Sequence, residues 1–215
     1  MARSLKAELI QLIARNMRSV EISKGMIILK PTDHIVRGFL LEGSAYKGVF
    51  YAWAMVVPLF GIMQNVSLNY SRRIIFGQNR SEKIETDEQR KLETALFLTQ
   101  LFEKHYIDDL SEIRTPHDFV IKFPIGDMFI RPNMAFEYAV ALCLEGDTVR
   151  GKSMLESIAD LAGQSPLHKK VISLSKKILT DLRNGRNSFM TSIRSIEVEN
   201  SRTHFPGISL VKSED

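Results

Sequence analysis

The sequence predicts an α+β protein: an N-terminal helix and a roughly four-stranded antiparallel sheet, followed by a helical C-terminal portion. Three observations carry this reading. Residues 26–76 hold short β-branched and aromatic runs separated by turn residues. From residue 86 onward the apolar residues recur at helical spacing. The connections between the early runs are short, which favours antiparallel neighbours over crossovers.

The elements follow in order. Leu5, Leu9, Leu12, Ile13 and Met17 form an apolar stripe and predict a helix over Ser4 to Arg18. Strands are expected at Met26 to Lys30, His34 to Leu41, Lys47 to Val57 and Asn65 to Phe76. The third is apolar on both faces and should be central. Its Phe50-Tyr51-Ala52-Trp53 alternates faces, so Phe50 and Ala52 oppose Tyr51 and Trp53. Core packing is the expected role of these aromatics, with a ligand groove as the alternative. Gly77 to Ser81 reads as a loop. Thr86 with Gln89 has capping-box spacing and opens one long helix to Ile113. Leu92, Leu96, Thr99, Phe102, Tyr106, Leu110 and Ile113 form its expected buried stripe. Thr115-Pro116 restarts a short helical turn through Phe119 and Phe123, closed by Pro124 and Gly126. Ser165-Pro166 starts a further helix that ends at Asn184-Gly185, and a weaker one spans Ser188 to Glu199. The expected division is residues 1–84 as helix plus sheet, 85–199 as a helical portion, and 200–215 as a mobile tail.

Composition is that of an ordinary globule, 44% hydrophobic and 25% charged. No charge interrupts residues 48–71. The most apolar part, Val49 to Met63, is about 15 residues, short of the roughly 20 that a membrane helix needs. It contains Pro58 and Gly61, so a buried strand and turn are expected and no membrane association. The N-terminus carries no continuous apolar secretory segment. A cytoplasmic protein, bacterial in style, fits these features. The net charge of +4 conceals a division. Residues 1–84 carry +7, residues 85–150 carry −6 and residues 151–215 carry +3.

Residues 146–153, Gly-Asp-Thr-Val-Arg-Gly-Lys-Ser, match the phosphate-loop pattern completely. Taken alone, Gly146, Gly151, Lys152 and Ser153 would bind a nucleoside triphosphate. A phosphate loop needs a buried strand leading into it. Here Ala135, Tyr138, Ala139 and Leu142 fall at i, i+3, i+4 and i+7, which is helical spacing. Gly146 suits a helix end and Asp147 a helix cap. The stretch 132–162 resembles a single unit of a tetratricopeptide repeat. Ala139 and Gly151 fall where that family places small residues, and Leu142 and Leu155 where it places larger ones. No second unit follows at the expected period. The resemblance implies a helical hairpin with Lys152 solvated on its second helix.

Other chemistries are weaker. The only cysteine, Cys143, lies in an apolar helix and reads as a buried thiol. The histidines His34, His105, His117, His168 and His204 lack zinc-hydrolase spacing. His105 with Asp109, and Asp108 with Glu112, sit one helical turn apart and read as a solvated face. Asp33-His34 beside Arg37 reads as a turn and strand start before it reads as a general-base pair. No cofactor is implied. The expectation is a non-enzymatic protein-interaction module, of inhibitor or immunity type, whose helical hairpin and following helix offer a groove to a protein or peptide. The alternatives are a nucleotide-binding enzyme at 146–153 and a nucleic-acid binder through Arg72, Arg73 and Arg80 in the basic 72–83 region. The second of these is disfavoured because its cations are dispersed.

Overall fold

The computed structural model describes residues 4–66, 68–76, 82–124, 131–163 and 165–211. The expected loop at 77–81, with Arg80, and the expected stop at Gly126 lie outside these residues. An N-terminal helix precedes an antiparallel sheet, and the rest of the chain is predominantly helical. The described residues divide into two compact units. One comprises 1–57, 67–112 and 205–215; the other comprises 58–66 and 113–204. The division therefore falls after residue 112 and not near residue 84, and it is discontinuous in sequence.

In the sheet unit, α1 (Leu5–Asn16) is capped by Ser4, whose side chain accepts from Ala7 N. Among the described residues six strands follow: β1 (Val20–Ser23), β2 (Met26–Leu29), β3 (Ile35–Gly43), β4 (Val49–Pro58), β5 (Arg72–Arg73) and β6 (Lys83–Glu85). The order is β1-β2-β3-β4-β5, and β6 also pairs with β4. Strand β4 is central, as its two-sided apolarity predicts. Sequence reading missed β1 because Glu21 interrupts its apolar pattern. The expected fourth strand, Asn65 to Phe76, shrinks to two residues. Leu68 to Ser71 forms a turn, closed by Ser71 N donating to Leu68 O at 3.0 Å.

Register defines the two faces of the sheet. Phe39 pairs with Ile27, and its ring stacks on Phe102 at 4.0 Å with 4° between planes. That face carries the helices. Leu9, Ile13, Leu98 and Phe102 are fully buried there. Burying each such side chain contributes roughly 1.5–3 kcal/mol before the opposing entropy. Gly38 is required by close strand approach, since a Cβ would lie 1.9 Å from Ile27 O.

The single long helix expected over Thr86 to Ile113 is two. Tyr106 departs from helical angles at φ −133° and divides α2 (Lys91–His105) from α3 (Ile107–Ser111). The expected capping box does not form. Thr86 is buried and accepts from Thr94 Oγ1, while Asp87 Oδ1 accepts from Gln89 N and Arg90 N. The expected stripe is buried at Thr99, Phe102, Leu110 and Ile113. At its N-terminal end Leu92 and Leu96 are 55% and 44% exposed, and Ala95 and Leu98 are buried in their place.

In the helical unit lie α4 (Pro116–Lys122), α5 (Pro132–Glu145), α6 (Thr148–Ala159), α7 (Pro166–Arg183) and α8 (Arg186–His204). Thr115 and Asp118 form a reciprocal capping box at α4. Burial pushes the Asp118 carboxyl up, but bonds from Thr115 and the Arg114 amide outweigh it and hold the carboxyl below its ordinary range. The expected tail from residue 200 is not a tail over its described part. Helix α8 runs to His204, Phe205 is fully buried in the sheet unit, and Leu210 bridges to Thr32.

Candidate interaction surface

The hairpin is present. Helix α5 ends at Gly146 with φ +106°, and Asp147 caps α6 by accepting from Arg150 N at 3.2 Å. Gly151 lets the helices meet, since a Cβ there would lie 2.3 Å from Cys143 Sγ and 2.8 Å from Ala139 O. The phosphate-loop match therefore sits in a helix-turn-helix, not a strand-loop-helix. The amides that would cradle a phosphate are engaged. Thr148 N donates to Gly146 O, and Gly151 N donates to Asp147 O. Lys152 and Ser153 lie on the first turns of α6, half-buried and exposed respectively. Cys143 is buried beside Gly151, and desolvation pushes its thiol up to about 11, which opposes nucleophilic chemistry.

The chain itself packs against the first helix of the hairpin. Every residue of α5 from Ala135 to Cys143 is buried. Phe60 meets Phe119 edge-on at 6.2 Å. Asn200 of α8 donates to Leu59 O at 2.6 Å and to Gly61 O at 2.8 Å. Gly61 presses on Glu137 so closely that a Cβ would lie 2.4 Å from its Oε1. Segment 58–63 thus packs against α4, α5 and α8.

The basic patch read at Arg72 and Arg73 does not assemble. Arg73 opposes Trp53 and Arg72 opposes Ala54 on β4, so the two side chains leave opposite faces. Arg72 pairs with Asp109 at 2.6 Å and lies over the Tyr106 ring at 4.9 Å. Arg73 pairs with Glu82 at 2.8 Å. Both cations are answered by carboxylates, which leaves little net field for a phosphate backbone.

What Arg73 does build is an aromatic surface. Its guanidinium sits 4.5 Å from the Tyr51 ring centre and 4.8 Å from that of Trp53. Trp53 Nε1 donates to Glu42 Oε2 at 2.9 Å. The face follows from register. Glu21 pairs with Ile28 and Ile28 with Gly38, while Ser23 pairs with Met26 and Met26 with Leu40. Glu42 continues the alternation, and its bond to Trp53 ties β4 to the same face. The β1 end of this face is covered by the C-terminal segment. Ser23 Oγ donates to Pro206 O at 3.0 Å, and Ser209 N donates to Glu21 Oε1 at 3.1 Å. The β4 end carries Tyr51 and Trp53 half-exposed, so the expectation that they pack into the core is corrected. Phe50 and Ala52, their neighbours, are the buried pair. The missed signal is the trio of Glu42, Glu82 and Arg73 around two aromatics, whose members are dispersed in sequence.

The remaining candidates are structural or surface groups. Asp33 and His34 form a bend, with His34 Nε2 3.7 Å from Asp33 Oδ2, and Arg37 is buried and donates to Pro31 O. Asp109 is held by Arg72. Among the described residues no group of three or more His, Cys, Asp or Glu is placed to hold a metal ion. No described helix is long and apolar enough to cross a membrane. The fold and surface define an α+β protein whose sheet presents an aromatic–arginine cluster to solvent. No family model, curated protein or solved structure matches the chain.

Proposed function

We propose that this protein is a non-enzymatic protein-interaction module, of the kind used by inhibitors and immunity proteins, and that it docks its partner on the open end of the sheet. The observation that carries the reading is Arg73 held against both Tyr51 and Trp53 while Glu42 and Glu82 fix its surroundings. Trp, Tyr and Arg are the residue types that dominate interface energetics when a partner desolvates them. Here their rotamers are already restrained by stacking and hydrogen bonds, which lowers the ordering cost of association.

Trp53 is the sole tryptophan, so its emission reports on this surface directly. A partner captured from the native host by the wild-type chain should shift that emission when added back in purified form. Trp53→Ala with Arg73→Ala should weaken the partner about 30-fold or more. A partner held equally well by the double variant would remove the sheet face from consideration.

A further inference from the structure

Helix α7 presents a second, chemically different surface. Lys169, Lys170, Lys176 and Lys177 are all exposed, and Ser173 stands exposed among them. Relative to Ser173 they occupy i−4, i−3, i+3 and i+4, the four positions that neighbour a residue on a helix surface. Arg183 extends the same stripe. From Lys169 to Arg183 it runs about 21 Å along the axis. The opposite side of α7, with Val171, Ser175, Ile178 and Leu179, is buried, so the lysines cannot turn inward.

These charges are not answered among the described residues. None of the four lysines, nor Arg183, forms an ion pair among the described residues. The one acid on α7, Asp181, accepts from Ser188 at 3.2 Å and from Ser192 at 2.6 Å. Glu156 on α6 and Asp160 at its C-cap are exposed, and neither pairs with a lysine of α7 among the described residues. Lys170, Ser173, Leu174 and Lys177 line a shallow depression beside the serine.

We propose that this face binds the phosphate backbone of duplex nucleic acid, with one phosphate seated over the Ser173 hydroxyl between the four lysines. Lysine and serine are common phosphate contacts that position a protein without reading sequence. The stripe has no exposed aromatic residue on which unpaired bases could stack, which favours a duplex over a single strand. Charged residues, which are depleted at the core of a protein interface, dominate it. The apolar side of α7 is buried in the unit, so the helix cannot lie in a bilayer as an amphipathic anchor does. A duplex supplies a continuous row of charges along the stripe, and four contacts to it imply a slope of about −3.6 in log K against log salt.

The test is titration of a fluorescently labelled, mixed-sequence DNA duplex by anisotropy at low salt, with Ser173→Glu as the deciding variant. The introduced carboxylate occupies the phosphate position and pairs with the four lysines at helical spacing, so the fold should be kept or strengthened. Wild type should bind with the stated slope, Ser173→Glu should weaken binding at least about 30-fold, and Ser173→Ala should remain close to wild type. Arg72→Ala with Arg73→Ala should leave duplex binding unchanged. Absence of duplex binding at low salt, binding unaffected by Ser173→Glu, or preference for phosphatidylserine vesicles over the duplex would each overturn the proposal.

Discussion

Arg72-Arg73 and the lysines of α7 are both runs of cationic residues, yet the structure handles them oppositely. On β5 the period of two sends neighbouring arginines to opposite faces, and each meets a carboxylate and an aromatic ring. On α7 the period of 3.6 gathers two lysine pairs seven residues apart onto one side. There they surround a serine with no ion pair among the described residues. The same charge in sequence becomes a structural clamp in one element and an exposed field in the other. Density of Lys and Arg is therefore a poor guide to polyanion binding until the period of the element is known.

The largest perturbation of this comparison is one that unseats α7. Helices α5 and α6 meet at Gly151, and α7 packs against both. Gly151→Val places atoms where Cys143 Sγ and Ala139 O already lie. It should cost about 3 kcal/mol in urea denaturation, at the upper end for overpacking. Duplex binding should fall with it. A variant with wild-type stability would show that the hairpin does not hold α7 in place.

A smaller effect separates the two arginines from each other. Arg73→Ala removes the cation from Tyr51 and Trp53 and should weaken the protein partner about tenfold or more. Arg72→Ala acts on the other face, against Tyr106 and Asp109, and should leave that affinity near wild type. Both exposed ion pairs contribute little to stability, so urea midpoints should barely move in either variant. Equal losses of affinity would contradict the assignment of faces from register.

The smallest expected change lies in neither basic region and serves as a baseline. Asp118→Ala breaks the capping box of α4 and should cost about 1 kcal/mol at neutral pH. The Asp118 carboxyl titrates below its ordinary value in the folded state. Its contribution is therefore present above pH of about 4 and is lost as pH falls through the folded-state value. Urea titrations of wild type and variant should converge toward acid pH. A difference that persists there would mean that Asp118 acts by packing alone.

The amino-acid sequence by itself determined the local grammar. Helix entry at Ser4, Thr115, Asp147 and Ser165, helix exit at Gly146, and the centrality of β4 follow from caps, left-handed glycine and two-sided apolarity. These are interactions within a few residues, and the sequence displays them. The hairpin reading of the phosphate-loop match was legible for the same reason. The α7 stripe of Lys169-Lys170 and Lys176-Lys177 about Ser173 emerges only once the helix and its buried side are known. Tertiary structure alone decided the rest. Ala95 and Leu98, not Leu92 and Leu96, complete the buried side of α2 beside Thr99 and Phe102. Segment 58–63 joined the helical unit through bonds to Asn200, a residue about 140 positions away in the chain. Glu42, Arg73 and Glu82 joined Tyr51 and Trp53 across three strands and a loop. Such choices depend on which of several comparable surfaces finds a partner, and that partner is distant in sequence.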